Sequence, residues 1–489
     1  MDNRTPVIVG TGQVNQRSAP DEALDPVGLM ELAARAAAPA HLLESVQTVH
    51  VVNLLSWRYR DPGRLLAELL GARPNRTTYS GVGGNVPQSL VNQACLDIQS
   101  GRVDVVLVAG GEAWRTRMKL RAEGRRPDWP RQDDAVAPAE RGADVPFVGE
   151  ADERIGLDRP AYVYPLFEQA LRIANREGMD AHRRRIGELW SRFSFVAQHN
   201  PHAWSRQKLS AEQIWRPRPD NRMVAWPYTK LMNSNNMVDQ AAVVILASAE
   251  MARRLRIPSD RWVFPYAGSD AHDTCAVGER AQLHRSPAIR VAGARVQELS
   301  GLHADEIDLI DIYSCFPSAV QVAADELGLS LDDPGRPVTV TGGLTFAGGP
   351  WNNYVTHSIA TVADRLRNGA GRRALVTANG GYLTKHSFGV YGTEPPRGEF
   401  RWEDVQAEVD RESVRVLHTT WQGAGHVESW TAQFDREGRP QRLFVAVCTP
   451  DGGRTLATLD DLAVVADAVH RDLAGVPVRV NPDGTAVFD

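Results

Sequence analysis

Residues 103–112 read Val-Asp-Val-Val-Leu-Val-Ala-Gly-Gly-Glu. From Val105 to Ala109 no polar residue interrupts the run, so neither face of this segment is built to meet water. A short, β-branched, unbroken apolar run closed by a glycine pair is a strand buried on both sides. Such strands belong to parallel sheets with helices over both faces. The neighbouring segments fit. Moving back toward the N-terminus, Pro87–Ser100 is helical and Thr77–Gly81 is extended. Asp61–Leu70 is helical, Val46–Leu55 is a strand, Pro26–Ala37 is a helix, and Pro6–Val14 is the opening strand. Strand and helix alternate, which is the signature of an α/β domain.

Toward the C-terminus the alternation pauses. Arg115–Gly149 is basic, proline-containing and weakly periodic, and holds Arg115, Arg117, Lys119, Arg121, Arg125, Arg126 and Arg131. Helices are expected at Ala161–Glu177 and Ala181–Gln198, then a loop rich in Trp, Asn and Pro to Asn236. A stretch of this length within a domain must carry structure of its own, so 113–236 reads as an inserted loop domain. Ala241–Leu246 resumes the sheet. A second round follows: strand Trp262–Ala267, helix Ile289–Ser300, strand Ile307–Tyr313, helix Ser318–Leu327, glycine-rich loop Gly342–Gly349, helix Tyr354–Arg367, and strands Ala374–Thr377 and Ser387–Tyr391. Residues 1–262 and 263–396 thus form two halves of one repeated plan. The acidic stretch Glu399–Glu412 reads as a linker. Beyond it, strands at Val414–His418, Val427–Phe434, Leu443–Cys448 and Val476–Val480, with a helix at Asp460–Leu473, predict a small β-rich domain over 397–489, a five-stranded barrel of OB-like type.

Several strings, in this order, resemble the thiolase superfamily. Pro6-Val-Ile-Val-Gly-Thr-Gly matches its opening strand. Val103–Glu112 matches the strand after its nucleophile helix. Gln198-His-Asn-Pro-His-Ala, within Phe193–Ala203, resembles the loop domain of the sterol-carrier-protein-type branch. Val238-Asp-Gln-Ala-Ala-Val and the Tyr-Ser-Cys-Phe end of Ile307–Phe316 have counterparts in the same branch. A thiolase-like body with an extra C-terminal domain is similar to the thiolase-like protein type 1 family. The resemblance implies a five-layer αβαβα body, made of two βαβαβαββ halves. It also implies a coenzyme A thioester as ligand, with no separate cofactor, and an assembly of dimers or tetramers through the strand near the nucleophile. The glycine-rich Tyr79–Asn85 and the extra domain leave the oligomeric state open.

Residue by residue, the reactive positions depart from that family. The nucleophilic Cys sits where a helix dipole lowers its pKa; counting back along the helix from Gly101 lands on Gly84, followed by Asn85. Cys95 lies three turns further on and reads as a packed thiol. The Gly-His-Pro loop that supports an enolate oxygen aligns with Gly348-Gly349-Pro350 and lacks its His. The residue that holds an oxyanion-hole water becomes Tyr313, and the second, acid/base Cys becomes Asn379, followed by Gly380. Groups that remain near the expected site are Tyr313, Cys315, Tyr354, His357, Tyr382 and His386. Tyr354 and His357 share a helix face.

Composition limits the alternatives. The chain has 489 residues, 43% hydrophobic and 24% charged, with net charge −5. That balance disfavours nucleic acid, as does the C-terminal region, with ten Arg and no Lys against sixteen Asp and Glu over 397–489. A protein partner suits that domain better. No apolar run approaches membrane-spanning length. Four cysteines with no CxxC pair and no zinc spacing suggest a reduced cytoplasm. Three functions stay open: an acyltransferase related to acetyl-CoA acetyltransferases with altered chemistry, a retro-aldol lyase on β-hydroxyacyl-CoA working through tyrosines, and a non-catalytic acyl-CoA binder or scaffold.

Overall fold

The computed structural model describes residues 1–142 and 145–488. The segment Val105–Ala113 is a fully buried strand in the interior of a six-stranded sheet. Across that sheet the order is Pro6–Asn15, Asp239–Ser248, Val105–Ala113, Thr48–Val51, Arg76–Tyr79 and Glu140–Arg141. The pairs from Val105–Ala113 through Thr48–Val51 and Arg76–Tyr79 to Glu140–Arg141 are parallel, and Asp239–Ser248 runs antiparallel to both of its neighbours. The second sheet has the order Leu309–Asp311, Arg373–Gly380, Lys385–Gly392, Phe264–His272, Arg401–Asp404.

Helices Val86–Gln99 and Tyr354–Arg367 pack between the two sheets and touch each other. Helices Pro26–Ala37 and Pro62–Leu70 cover the outer face of the first sheet. Pro287–Ser300 packs on the second sheet and Pro317–Leu327 packs against that helix. The result is the expected αβαβα sandwich. Local chemistry sets the helix ends. Asp25, Asp61 and Ser286 cap their helices by accepting from backbone N–H groups, each followed directly by a proline.

The inserted region is more ordered than its composition suggested. Its basic stretch opens with a helix, Trp114–Ala122, and its two long helices are Pro160–Ala174 and Met179–His199. The latter pair is pinned by buried Glu168, which accepts from His182 and Tyr228 at 2.5 Å and from Gln321 at 2.7 Å.

Four expectations are corrected. The strand expected at Val46–Leu55 is confined to Thr48–Val51, because Asn53–Ser56 turn away to bond Ser80 and Glu112. Glu399–Glu412 is not a linker: Arg401–Asp404 pairs in parallel with Ala267–Asp270 and finishes the second sheet, held by Arg295 against Glu403 and Glu408. Val414–His418 makes only isolated bridges, at Val414 and Leu417. The helix expected over Asp460–Leu473 is confined to Leu462–Asp467, with Asp461 as its cap.

The C-terminal domain is built from Gly423–Phe434, Pro440–Cys448, Arg454–Leu459, Pro477–Val480 and Ala486–Phe488, with the short helix after the third strand. The first strand pairs with the second and fourth, and the fifth pairs with the fourth. Thr458 on the third strand bridges Thr485 just before the fifth, and donates to the Gly484 carbonyl at 3.0 Å, so the sheet curls round onto itself. Its core centres on Trp430, Leu443, Val445 and Val465. It docks on the inserted region, where Arg172 holds Asp472 by two bonds of 2.8 and 2.9 Å and the Ser429 hydroxyl donates to Leu166.

Candidate active site

The ends of three elements meet at one cavity. Gly83-Gly84-Asn85 lead into the buried helix Val86–Gln99. Tyr313 and Cys315 lie just past the strand Leu309–Asp311. Asn379 and Gly380 end the strand Arg373–Gly380. The cavity between them measures about 510 Å³. Its walls are mainly apolar and include Leu55, Val82, Phe147, Pro160, Phe316, Leu344 and Trp351. Gly84, Tyr313, Cys315, Asn379, Gly380 and Tyr382 are exposed to it as well. Arg159 stands at its edge.

Gly84 is closely packed. A Cβ placed there would lie 2.4 Å from the Asn379 carbonyl oxygen and 2.5 Å from the Tyr313 hydroxyl. The volume that a side chain at this position needs is already filled by the tyrosine. Gly380 is similar, its missing Cβ replaced by the Asn85 amide oxygen at 2.5 Å. The Gly83 N–H donates to Asn352, whose own amide donates to the Asn53 carbonyl at 3.0 Å, so the glycine turn is anchored from the Trp351–Asn353 segment.

Tyr313 lies edge-on to Tyr354, with ring centroids 5.4 Å apart, and its backbone N–H donates to Thr377. Among the described residues its hydroxyl has no protein partner. Burial raises its pKa well above the ordinary phenol value, and the neighbouring Cys315 adds to this, so the group is a protonated donor. Burial likewise pushes the Cys315 thiol up to about 12, partly offset by the Tyr164 hydroxyl and the Asn379 amide. Asn379 donates to the Tyr164 hydroxyl at 2.9 Å and lies 3.8 Å from the Cys315 sulfur. Cys95 is fully buried, and burial raises its pKa as well, which disfavours the thiolate.

Other expected site residues are held away from the cavity. The Tyr354 hydroxyl meets Thr341 at 2.5 Å and donates to Asp311 at 3.2 Å. Asp311 also accepts from Thr339, Ser358 and the Val340 N–H, so Tyr354 belongs to a buried structural network. His357 points at Gln13 on the first sheet, 3.0 Å away, and burial lowers its pKa to about 3. His386 pairs across the hairpin with Asn379 but faces a void of only about 10 Å³ behind Tyr313 and lies 3.8 Å from Asp273. Burial takes its pKa to about 4. Gly348 and Gly349 back the wall rather than line it. Gly348 has φ of 108° and abuts the Gln240 amide, and Gly349 bonds Asn235 and Asn236.

Tyr164 escaped the sequence reading. It comes from the inserted helix Pro160–Ala174, stacks on Phe316 at 4.4 Å, and its hydroxyl accepts from Asn379 and the Leu383 N–H while donating to the Gly381 carbonyl at 3.1 Å. Nothing in a single sequence marks a tyrosine that reaches the site from an insertion. Asn352 carried a signal, its position between the glycine-rich loop and Tyr354.

Known proteins resemble this chain in sequence and in fold. Residues 404–485 match the thiolase-like protein type 1 additional C-terminal domain. An acetyl-CoA acetyltransferase of Methanothermobacter thermautotrophicus is 30% identical over 211 residues, 40% of this chain and 53% of that protein, so the chain spans about half its length. An Ltp2-ChsH2(DUF35) aldolase shares the fold at 18% identity, with TM-score 0.59 over 80% of this chain and 98% of that one. The crystal structure of a monomeric SCP2-thiolase-like protein type 1 from Mycobacterium smegmatis is 30% identical, with TM-score 0.85 and complete coverage of both chains. With that identity along the full length and the same appended domain, the chain belongs to the SCP2-thiolase-like protein type 1 family.

Proposed function

We propose that the cavity binds a coenzyme A thioester and handles it without a covalent acyl-enzyme. The observation that carries this is the closure at Gly84, where Tyr313 and the Asn379 carbonyl occupy the space a nucleophilic side chain would use. The protein is thus related to acetyl-CoA acetyltransferases but lacks the Cys, His and Cys that acyl transfer through an acyl-enzyme requires. The apolar walls suit a pantetheine arm and an acyl chain, and Arg159 with the cations of the Trp114–Ala122 helix suits phosphate oxygens.

A second reading is favoured by the Tyr313 hydroxyl. A protonated phenol directed into an apolar cavity can donate to a thioester carbonyl as negative charge develops on it. That charge appears in retro-aldol cleavage of a β-hydroxyacyl-CoA. The same phenol is a poor base, so the proton on the β-hydroxyl must leave to another acceptor. The OB-like reading of the C-terminal domain rests on its strand order and on the helix after its third strand, and its acidic excess favours a protein partner over nucleic acid. The four free cysteines suit a reducing cytoplasm.

The test is a mass-spectrometric assay with β-ketoacyl-CoA and β-hydroxyacyl-CoA substrates, with and without free CoA. Binding without a protein adduct supports the proposal, and cleavage of the hydroxyacyl ester alone supports the lyase. Chain shortening with an acyl adduct on the protein overturns both.

A further inference from the structure

A continuous run of hydrogen bonds joins the C-terminal domain to the cavity. Arg454, on the third strand of that domain, is wholly buried. Its guanidinium grips Glu428 through Nε and Nη2, each at 2.7 Å. Its remaining nitrogen, Nη1, crosses to the body and donates to the carbonyls of Gly278, at 2.9 Å, and Arg280. The chain entering the domain holds the same segment: the Arg415 N–H donates to the Glu279 carbonyl at 2.8 Å, and Val414 bridges Arg280.

The side chain of Arg280 continues the run in the other direction. It is buried against the Phe167 ring, and its Nη2 donates to the carbonyls of Tyr382 at 3.0 Å and Leu383 at 2.6 Å. Those two residues belong to the turn that follows Asn379 and Gly380. Leu383 has φ of 57°, a conformation that a bulky residue keeps only when its surroundings hold it there. Its N–H bonds Tyr164, the residue that also orients Asn379.

We propose that Arg454 and Arg280 are positioning residues for the acyl-CoA cavity, so that the additional C-terminal domain sets the geometry of the Asn379–Leu383 turn. The ligand named here rests on the function proposed above; the mechanical link does not. A planar guanidinium spans a carboxylate and two carbonyls at once, and a lysine ammonium cannot. Arg454→Lys therefore keeps the charge beside Glu428 while breaking the bridge.

The experiment uses the full chain with fluorotyrosine placed at Tyr164 alone, read by fluorine NMR, together with calorimetric titration of acetyl-CoA. Arg454→Lys and Arg280→Lys should each move the Tyr164 resonance and weaken acetyl-CoA by about five-fold, the size expected for coupling through a packed network. Arg442→Gln, which breaks an exposed pair with Asp460 on the same barrel, should change neither. A folded Arg454→Lys protein with the parental resonance and affinity overturns the proposal. If Arg454→Lys does not fold, the double variant Glu428→Gln/Arg454→Gln, which removes both charges of the buried pair and leaves only the partly exposed Arg415 without its carboxylate, is read by the same two signals. Failure of the parent protein to bind acetyl-CoA would refute the function proposed above, and the resonance shift would still decide the link.

Discussion

Replacing Gly84 by alanine tests the central claim about the site. The added Cβ would meet the Asn379 carbonyl at 2.4 Å and the Tyr313 hydroxyl at 2.5 Å, with the ring carbon that bears it at 2.9 Å. Approaches under 3.0 Å are essentially never seen for a real Cβ, so at least one neighbour must retreat by roughly 0.6 Å. The first obstacle is backbone at the end of a buried strand. The second is a phenol wedged against Tyr354. Overpacking of this kind costs ~1–3 kcal/mol, and two rigid obstacles place Gly84→Ala near 3 kcal/mol. Tyr313→Ala removes one obstacle and leaves the other. In that background the Gly84→Ala penalty should fall by roughly half, a coupling within the usual range for residues in contact. Urea unfolding of the four proteins of this cycle measures it. A Gly84→Ala penalty below ~0.5 kcal/mol, or one unchanged by Tyr313→Ala, would refute the idea that the tyrosine occupies the nucleophile's volume. By the same reasoning Gly84→Cys, mixed with acetyl-CoA, should gain no acetyl group by intact mass.

Tyr313→Phe should leave stability near that of the parent, since its hydroxyl has no protein partner among the described residues, but weaken a bound thioester by ~1 kcal/mol, about five-fold in Kd by calorimetry. Alkylation by iodoacetamide at pH 8, followed by peptide mapping, should mark the partly exposed Cys275 first. Cys315, with its thiol pushed up to about 12, should react at least ~1,000-fold more slowly. Burial holds the folded-state pKa of His50 near about 4, of His357 near about 3 and of His386 near about 4, against ~6.5 when unfolded. Their depressed values mean that stability is full above pH 6.5 and is lost as pH falls toward 4. At pH 5 the loss is ~2 kcal/mol for each histidine. His357→Gln should therefore lessen the loss between pH 7 and pH 5 by about that amount in urea titrations, and an unaltered slope would disprove the assignment.

The fold was legible because its signals are local and periodic. The unbroken run at Val105–Ala109 and the proline that follows each of the caps Asp25, Asp61 and Ser286 are readable without tertiary context. Arg401–Asp404 was not, since its charged sequence describes a solvated linker and only pairing with Phe264–His272 makes it a strand. At the site, the resemblance to thiolases located Gly84, Tyr313, Cys315 and Asn379, which the structure brings to one cavity. It could not say where side chains point. Tyr354 and His357 share a helix face by spacing, yet one hydroxyl is taken by Asp311 and the other residue's ring turns to Gln13. Tyr164 and Arg280 act across more than two hundred and one hundred residues of chain respectively, a range that periodicity does not reach.

The short strand Glu140–Arg141 bears on self-association. It lies along Arg76–Tyr79, with Arg76 paired to Glu140 and the Arg141 guanidinium over the Tyr79 ring. An open strand edge is a template on which a second chain can continue the ladder. Here that edge is already taken by the chain's own insertion. A second copy seeking this edge would first have to peel away an ion pair, a cation–π contact and the Gly142 N–H bond to Tyr79. The insertion thus acts as a built-in edge guard, placed on the strand that leads into the Gly84 turn.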